Sequence, residues 1–230
     1  MRPLRAIVEL ALAALAFLAG NVVVVLALMW CQVDDRRWLN VAATGGGGVA
    51  ALLTCVLLLR LAGHDGQSIG WTAERLPGNL GIGLAALLLA DVGLLAAGLV
   101  AIMLNPDLMT HPPTAQQAIE QTLPRTSFGP LLLMMLLVVL WEEVVFRGFV
   151  LTRLQAMLKR WWLTVPASAI AFGLIHLYQG PLAVAIIASL ALVMGTLFAW
   201  RRSLVPSMVF HLLNNLLVVL LLQHVSSTWR

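Results

Sequence analysis

Seven long apolar runs constrain this chain more than any other feature. Each approaches the roughly 20 predominantly apolar residues that a helix needs to cross the hydrocarbon core of a bilayer. Hydrophobic residues make up 61% of the 230 residues and charged residues only 10%, whereas soluble domains carry about 25% charge. The sequence therefore predicts an all-α, polytopic transmembrane bundle of about seven spans, over residues 6–30, 41–63, 80–104, 128–150, 163–179, 181–200 and 203–223.

Basic residues at the ends of these runs predict which way the chain crosses the membrane, because Lys and Arg concentrate in cytosolic loops. With the N-terminus in the cytosol, nine basic residues fall on the cytosolic side and four on the other, and Arg147 is left out of the count because it lies in a span. We therefore expect a cytosolic N-terminus. The first run is too long for the apolar part of a signal peptide, so we interpret it as a retained helix, with a cleaved signal as the alternative.

The seven runs are expected to form one bundle with two parts. Residues 1–127 hold helices 1–3 and a polar loop, whereas residues 128–230 hold helices 4–7 and the residues able to do chemistry. The loop over residues 105–127 is the longest polar stretch, and we expect a short amphipathic piece or a lid there.

The fourth run contains three formal charges, on Glu142, Glu143 and Arg147. An ionised side chain at mid-bilayer costs roughly 2.5–3.5 kcal/mol on insertion scales, so such residues usually face a partner or a cavity and mark a function. Glu143 and Arg147 are four residues apart and can pair on one helix face. Glu142 projects about 100° away and is expected to remain free.

Two later runs add histidines at a similar depth. His176 ends a Phe-x-x-x-His pattern that starts at Phe172, and His211 shares a helix face with Asn215 at four-residue spacing. At about 1.5 Å per residue from the turn between helices 4 and 5, Glu142 and His176 lie at about the same level. A lone membrane histidine usually just bonds across a helix interface, but one carboxylate and two imidazoles at one depth favour a functional site.

Two further buried polar residues are interpreted as supporting ones. Asn214 faces away from Asn215 and is expected to hydrogen-bond between helices. Asp91 lies in the middle of the third run, and we expect it to support the site or the helix packing, with a functional role as the alternative.

Several tempting motifs receive no chemical role. The G-x-S-x-G pattern at residues 66–70 lies in a polar loop rather than on a strand-to-helix turn, so we attribute it to chance. The four glycines at 45–48 favour close helix packing over phosphate binding. Cys31 and Cys55 fit neither a disulfide framework nor a thiolate metal site.

The order of the polar motifs resembles the CPBP family of intramembrane proteases, between the fourth and seventh runs. That family includes the type II CAAX prenyl endopeptidases and the bacterial Abi proteins linked to bacteriocin processing and self-immunity. Its paired-acid, Phe-x-x-x-His and His-x-x-x-Asn motifs fall here on Glu142, Glu143 and Arg147, on Phe172 and His176, and on His211 and Asn215.

The resemblance implies an endopeptidase that hydrolyses a membrane-associated peptide or a prenylated, CAAX-like protein. Glu142 partnered by His176 would activate water, and His211 with Asn215 would donate hydrogen bonds to the oxyanion. We expect the water-filled cavity that this chemistry needs to open toward the cytosol.

The resemblance also implies a supporting role for Glu143 and Arg147, and it leaves two alternatives for the cofactor. Glu143 with Arg147 would hold the helix and the electric field around Glu142. The favoured mechanism requires no cofactor; in the alternative, Glu142, His176 and His211 bind one divalent metal, expected to be zinc, as in a metalloprotease.

Two rival functions stay open beside the protease. One is a non-catalytic immunity or adaptor protein on the same scaffold, and the other is an ion- or proton-coupled transporter. The expected partners are the lipid bilayer and a peptide or lipidated-protein substrate, with no nucleic acid. The arginine-flanked helices and the family likeness lead us to expect the bacterial cytoplasmic membrane.

Overall fold

The computed structural model describes residues 3–109 and 126–225, so the expected lid over 110–125 lies outside the described residues. Within them the regular structure is entirely helical, with short 3₁₀ turns between seven main helices. These are α1 Pro3–Trp30, α2 Arg36–Leu61, α3 Leu76–Leu104, α4 Phe128–Leu158, α5 Trp161–Leu174, α6 Pro181–Arg201 and α7 Val205–Val225.

Five of the helices are long and apolar enough to cross a membrane, by length and composition. They are α1, α2, α3, α4 and α6, whereas α5 and α7 are shorter apolar helices. Helix α5 has 14 residues, about 21 Å at 1.5 Å per residue, which is less than the ~30 Å hydrocarbon core. The predicted all-α, polytopic membrane fold with about seven helices is confirmed.

Glycines let α2 approach its neighbours closely. A Cβ atom on Gly46 would collide with Val24 of α1, and one on Gly48 would lie 2.5 Å from the Trp141 ring of α4. The predicted packing role of this glycine run is confirmed at these two positions, since no side chain could replace either hydrogen without movement. Trp141 is buried there instead of lying at a membrane interface.

A buried ion pair joins α1 to the last part of α4. Glu9 is 3% exposed, and its Oε2 atom accepts a hydrogen bond of 2.9 Å from Arg153 Nε. Its other oxygen accepts from Arg5 Nε at 2.8 Å. The Arg153 guanidinium also lies over the Phe149 ring, 4.0 Å from its centroid. Although Arg153 follows the fourth apolar run, the structure buries it against α1.

The ends of several helices meet at what we call the arginine-rich end of the bundle. The α6 residue Arg201 donates a 2.9 Å hydrogen bond to Asn79 of α3, and Leu204 N donates to Gly70 O in the loop before α3 at 2.9 Å. The described basic residues at this end are Arg5, Arg60, Arg75, Arg153, Lys159, Arg160, Arg201 and Arg202, whereas the opposite end carries Arg36 and Arg37.

Candidate active site

The paired glutamates lie where α4 changes its hydrogen-bonding pattern. The helix is α-helical over Phe128–Glu142 and π-helical over Glu143–Val150 before it returns to α. Such π segments are frequent at functional sites. Glu142, Glu143 and Arg147 are 5%, 0% and 2% exposed, so all three polar groups are withdrawn from the surface of the bundle.

The predicted ion pair is present, because Arg147 Nη1 lies 2.8 Å from Glu143 Oε1. The same carboxylate oxygen lies 2.8 Å from Nδ1 of His211 on α7. The other ring nitrogen of His211, Nε2, lies 3.5 Å from Glu142 Oε2. The expectation that Glu142 stays free is therefore wrong: one imidazole contacts both carboxylates.

The aromatic ring of Phe172 on α5 contacts three members of the polar set, namely Arg147, His176 and His211. Its ring centroid is 4.3 Å from the Arg147 guanidinium carbon and 5.0 and 5.9 Å from the rings of His176 and His211. An edge contact with Phe146 completes its surroundings at 4.9 Å. A cation over an aromatic face is stabilised by the ring quadrupole, so Phe172 both shields and positions the polar set.

His176 lies just beyond α5 rather than inside a span. The fifth helix was predicted over 163–179, but it ends at Leu174, and a 3₁₀ turn follows at Leu177–Gln179. The Nδ1 atom of His176 is 2.9 Å from the carbonyl oxygen of Phe172. A carbonyl only accepts hydrogen bonds, so Nδ1 carries the proton and Nε2 is the atom left for other partners.

A cavity of ≈ 550 Å³ brings the predicted residues together. Its lining includes Glu142, His176, His211 and Asn215, contributed by α4, α7 and the segment after α5. Most of the other lining side chains are apolar, among them Met134, Ile187 and Leu217. Concave, mainly apolar sites with a few convergent polar groups are typical of ligand and active sites. Glu143 and Arg147 are not among the described lining residues and lie behind Glu142.

The cavity does not extend toward the arginine-rich end. It is lined by residues 134–142 of α4, 183–194 of α6 and 211–221 of α7, and by residues 40–44 near the start of α2. These are the parts of those helices that lie farther from the arginine-rich end. The cavity therefore lies in the half of the bundle away from the arginine-rich end, and the expected opening toward the cytosol stays a prediction.

Six further polar residues line the cavity beside the predicted site residues. Asn214 was interpreted as an interhelical residue and Asp91 as a supporting one. Tyr178 and Gln179 lie two and three residues after His176, so their nearness in sequence could have indicated them. The full additional set is Asn40, Thr44, Asp91, Tyr178, Gln179 and Asn214.

A three-ligand metal site does not form from the described side chains. Among residues 3–109 and 126–225, no group of three His, Cys, Asp or Glu residues is arranged to hold a metal ion. Of the three candidate ligands, His211 turns one nitrogen to Glu143 and the other to Glu142. We derive no step through a metal ion, and the metal-binding alternative stays a prediction.

The fold and the buried cavity define a polytopic membrane protein with a polar site inside its helical bundle. Residues 124–217, less than half of the chain, match the family model described as Type II CAAX prenyl endopeptidase Rce1-like. This match confirms the resemblance to the CPBP family and supports, at family level, a CAAX-type intramembrane protease. A search of curated proteins and a search of solved structures found no match. The division into parts at residues 127 and 128 stays a prediction.

Proposed function

We propose that this protein is an intramembrane endopeptidase whose reaction takes place in the cavity beside Glu142. One observation carries the proposal: a buried carboxylate, two imidazoles and a carboxamide line one cavity within an apolar bundle. Buried ionisable groups are costly in a membrane and mark functional sites. The Rce1-like match over these same helices supports hydrolysis of a peptide bond as the reaction.

Glu142 acts as the general base in this proposal. Its Oε2 atom reaches His211 and its carboxyl group faces the cavity. His176 donates its Nδ1 proton to Phe172 O, so its neutral ring offers the Nε2 lone pair to a water hydrogen. A water between the two groups is held by two acceptors, and Glu142 takes the proton as the water oxygen attacks the peptide carbonyl carbon.

His211 and Asn215 stabilise the negative oxygen of the tetrahedral intermediate. Both lie on α7 four residues apart and line the cavity, and each donor aimed at an oxyanion typically contributes about 2.7–4 kcal/mol. With Nδ1 donating to Glu143, His211 can donate from Nε2 only when both ring nitrogens carry protons. The Asn215 amide donates in either state of that ring.

Glu143 and Arg147 position these groups without touching the substrate. The Glu143 carboxylate holds His211 by Nδ1, and Arg147 holds the carboxylate. An imidazole oriented by a carboxylate keeps one ring nitrogen directed at its task, as the aspartate does in serine-protease triads.

The substrate class in this proposal is a membrane-associated or prenylated peptide segment. The apolar lining suits a lipid-anchored or hydrophobic chain, and the family description names CAAX prenyl endopeptidases. We place the chain in a bacterial cytoplasmic membrane with its N-terminus in the cytosol, as the basic residues predict.

The test compares new protein termini in membranes from cells that carry the wild-type chain or Glu142→Gln at matched expression. Glu74→Gln, an exposed acid in the loop before α3, is the matched control. We expect cleavage products to fall by about 10²–10⁴-fold with Glu142→Gln, the usual contribution of a general base, and to persist with Glu74→Gln. Identical termini in all three membranes would overturn the protease and favour the adaptor or the transporter.

A further inference from the structure

Asp91 is the only formally charged residue of α3, and it lines the cavity beside Glu142. Within residues 3–109 and 126–225, no hydrogen bond or ion pair reaches its carboxylate. An ionised side chain within a span usually faces a partner or a cavity and marks a function. The partner of Asp91 is therefore to be sought among the groups that enter the cavity.

The packing of α3 against α7 places Asp91 level with Asn214. Both helices begin at the arginine-rich end, and a Cβ atom on Gly83 would lie 2.5 Å from the carbonyl oxygen of Pro206. Asp91 lies eight residues after Gly83, and Asn214 lies eight residues after Pro206. Asn214 also lines the cavity, about 4.5 Å beyond His211 along α7 at 1.5 Å per residue.

Thr44 of α2 lies at nearly the same level. Gly48 packs against the ring of Trp141, the residue before Glu142. Thr44 lies one turn before Gly48, about 6 Å farther from the arginine-rich end, and it lines the cavity. Three helices thus contribute one polar residue each to a level about one turn from Glu142, and we call this set the polar ring: Thr44, Asp91 and Asn214.

The polar ring offers one negative charge and two neutral oxygen acceptors to an occupant of the cavity. The Asp91 carboxylate only accepts hydrogen bonds, and the Thr44 hydroxyl and the Asn214 carboxamide oxygen can each accept one as well. An ammonium group carries one positive charge and three donors, which match these acceptors. No lysine or arginine is among the described residues that line the cavity, so the ring suits an ammonium group better than a carboxylate or a phosphate.

We propose that the polar ring binds an ammonium group of the substrate, and that Asp91 thereby selects which peptides are cleaved. The inference rests on the proposed function and narrows its substrate class to apolar peptides with an ammonium group near the cleaved bond, on a lysine side chain or at the amino terminus. An extended chain spans about 3.3–3.6 Å per residue. One helical turn, about 5.4 Å, therefore places this group within about three residues of the bond.

Charged thiol reagents test the polar ring without requiring cleavage. In a Cys31→Ser background, Leu94→Cys places a thiol in the cavity wall three residues after Asp91. Its rate of reaction with aminoethyl methanethiosulfonate, a cation, is compared with that of sulfonatoethyl methanethiosulfonate, an anion, on the purified full chain. Cys55 is buried, and the Cys31→Ser chain alone gives the background rate. Val218→Cys, also in the cavity wall, is the second position if Leu94→Cys fails to fold.

We expect the ratio of cation rate to anion rate to fall at least tenfold when Asp91→Asn is added. A unit charge about 6 Å away changes the rate of a charged reagent roughly tenfold at an effective dielectric constant of about 40. Glu74→Gln removes an exposed acid outside the cavity and should leave the ratio unchanged, because salt screens exposed charges. An unchanged ratio with Asp91→Asn overturns the inference. So does the absence of reaction between the cation and both introduced thiols, since an ammonium group then cannot reach the ring.

Protection of the Leu94→Cys thiol by peptides identifies the source of the ammonium group. Three leucine- and alanine-rich peptides are compared: an acetylated one with a single lysine, one with a free amino terminus and no lysine, and an acetylated one with glutamine in place of the lysine. We expect the first or the second to slow the reaction with an uncharged thiol reagent at least tenfold more than the third, and Asp91→Asn to abolish this difference. Equal protection by all three peptides, or by none, overturns the inference.

The two proposals fail separately. If Asp91→Asn changes the reagent ratio but protein termini are identical with Glu142→Gln, the protease is overturned while the ammonium site stands. If cleavage depends on Glu142 but the reagent ratio is unchanged by Asp91→Asn, the protease stands and the ammonium site is overturned.

Discussion

Replacing Glu143 by glutamine is the sharpest test of how the polar site is built. Glu143 is fully buried and its Oε1 atom lies 2.8 Å from both Arg147 Nη1 and His211 Nδ1. The amide keeps the shape but removes the charge, which leaves the Arg147 guanidinium buried without a counter-ion. Removing one member of a buried pair typically costs about 3–5 kcal/mol, or roughly two to three and a half powers of ten in the unfolding equilibrium.

The double variant Glu143→Gln/Arg147→Met decides whether that cost comes from the stranded charge. Because neither buried charge of the pair remains, we expect the double variant to recover about 2 kcal/mol relative to the sum of the two single variants. Reversible unfolding in mixed micelles, followed by tryptophan fluorescence, measures this coupling. The exposed neighbours Glu74 and Arg75 provide a control pair, for which additivity is expected. Additive losses at Glu143 and Arg147 would refute the buried ion pair as the organising element.

Four further outcomes follow from the contacts. Gly48→Ala pushes a methyl group against the Trp141 ring and should lower stability by about 1–3 kcal/mol, with Gly45→Ala, which meets no neighbour within 4 Å, as the control in the same unfolding assay. Phe172→Leu should lower kcat and change KM less in a cleavage assay, because His176 and His211 are held less firmly while every reacting group remains. Glu9→Gln should lower the free energy of unfolding by about 3–5 kcal/mol, since Arg153 loses a buried partner, and the same unfolding assay measures it. Removal of divalent metal with a chelator should leave product formation unchanged, and rescue of a chelated, inactive enzyme by stoichiometric zinc would contradict the proposed base.

The parts of the site that could be predicted are those within one helix. The Glu143–Arg147 pair and the shared face of His211 and Asn215 follow from helical spacing alone. The apolar runs likewise predicted the helices, because length and hydropathy decide whether a segment suits a bilayer.

The contacts between side chains of different helices could not be predicted in the same way. His211 contacts Glu143 across 68 positions, and the rotation that brings them together is set by side-chain packing, which leaves no periodic pattern in the sequence. The π-helical stretch alters the direction of the residues that follow Glu142, whereas our expectation used α-helical spacing. The position of the cavity along the bundle could not be predicted either, because it depends on how apolar residues such as Phe149 and Leu151 pack.

The pairing at Glu9 has a consequence for synthesis. Arg153 lies 144 positions later in the chain, so α1 must enter the bilayer well before this partner exists. Arg5, one helical turn earlier, already neutralises the carboxylate within α1, which allows the helix to insert as a nearly neutral segment. When α4 is inserted, the second carboxylate oxygen of Glu9 can accept the hydrogen bond from Arg153. The first helix therefore provides a docking site for the helix that carries the active site.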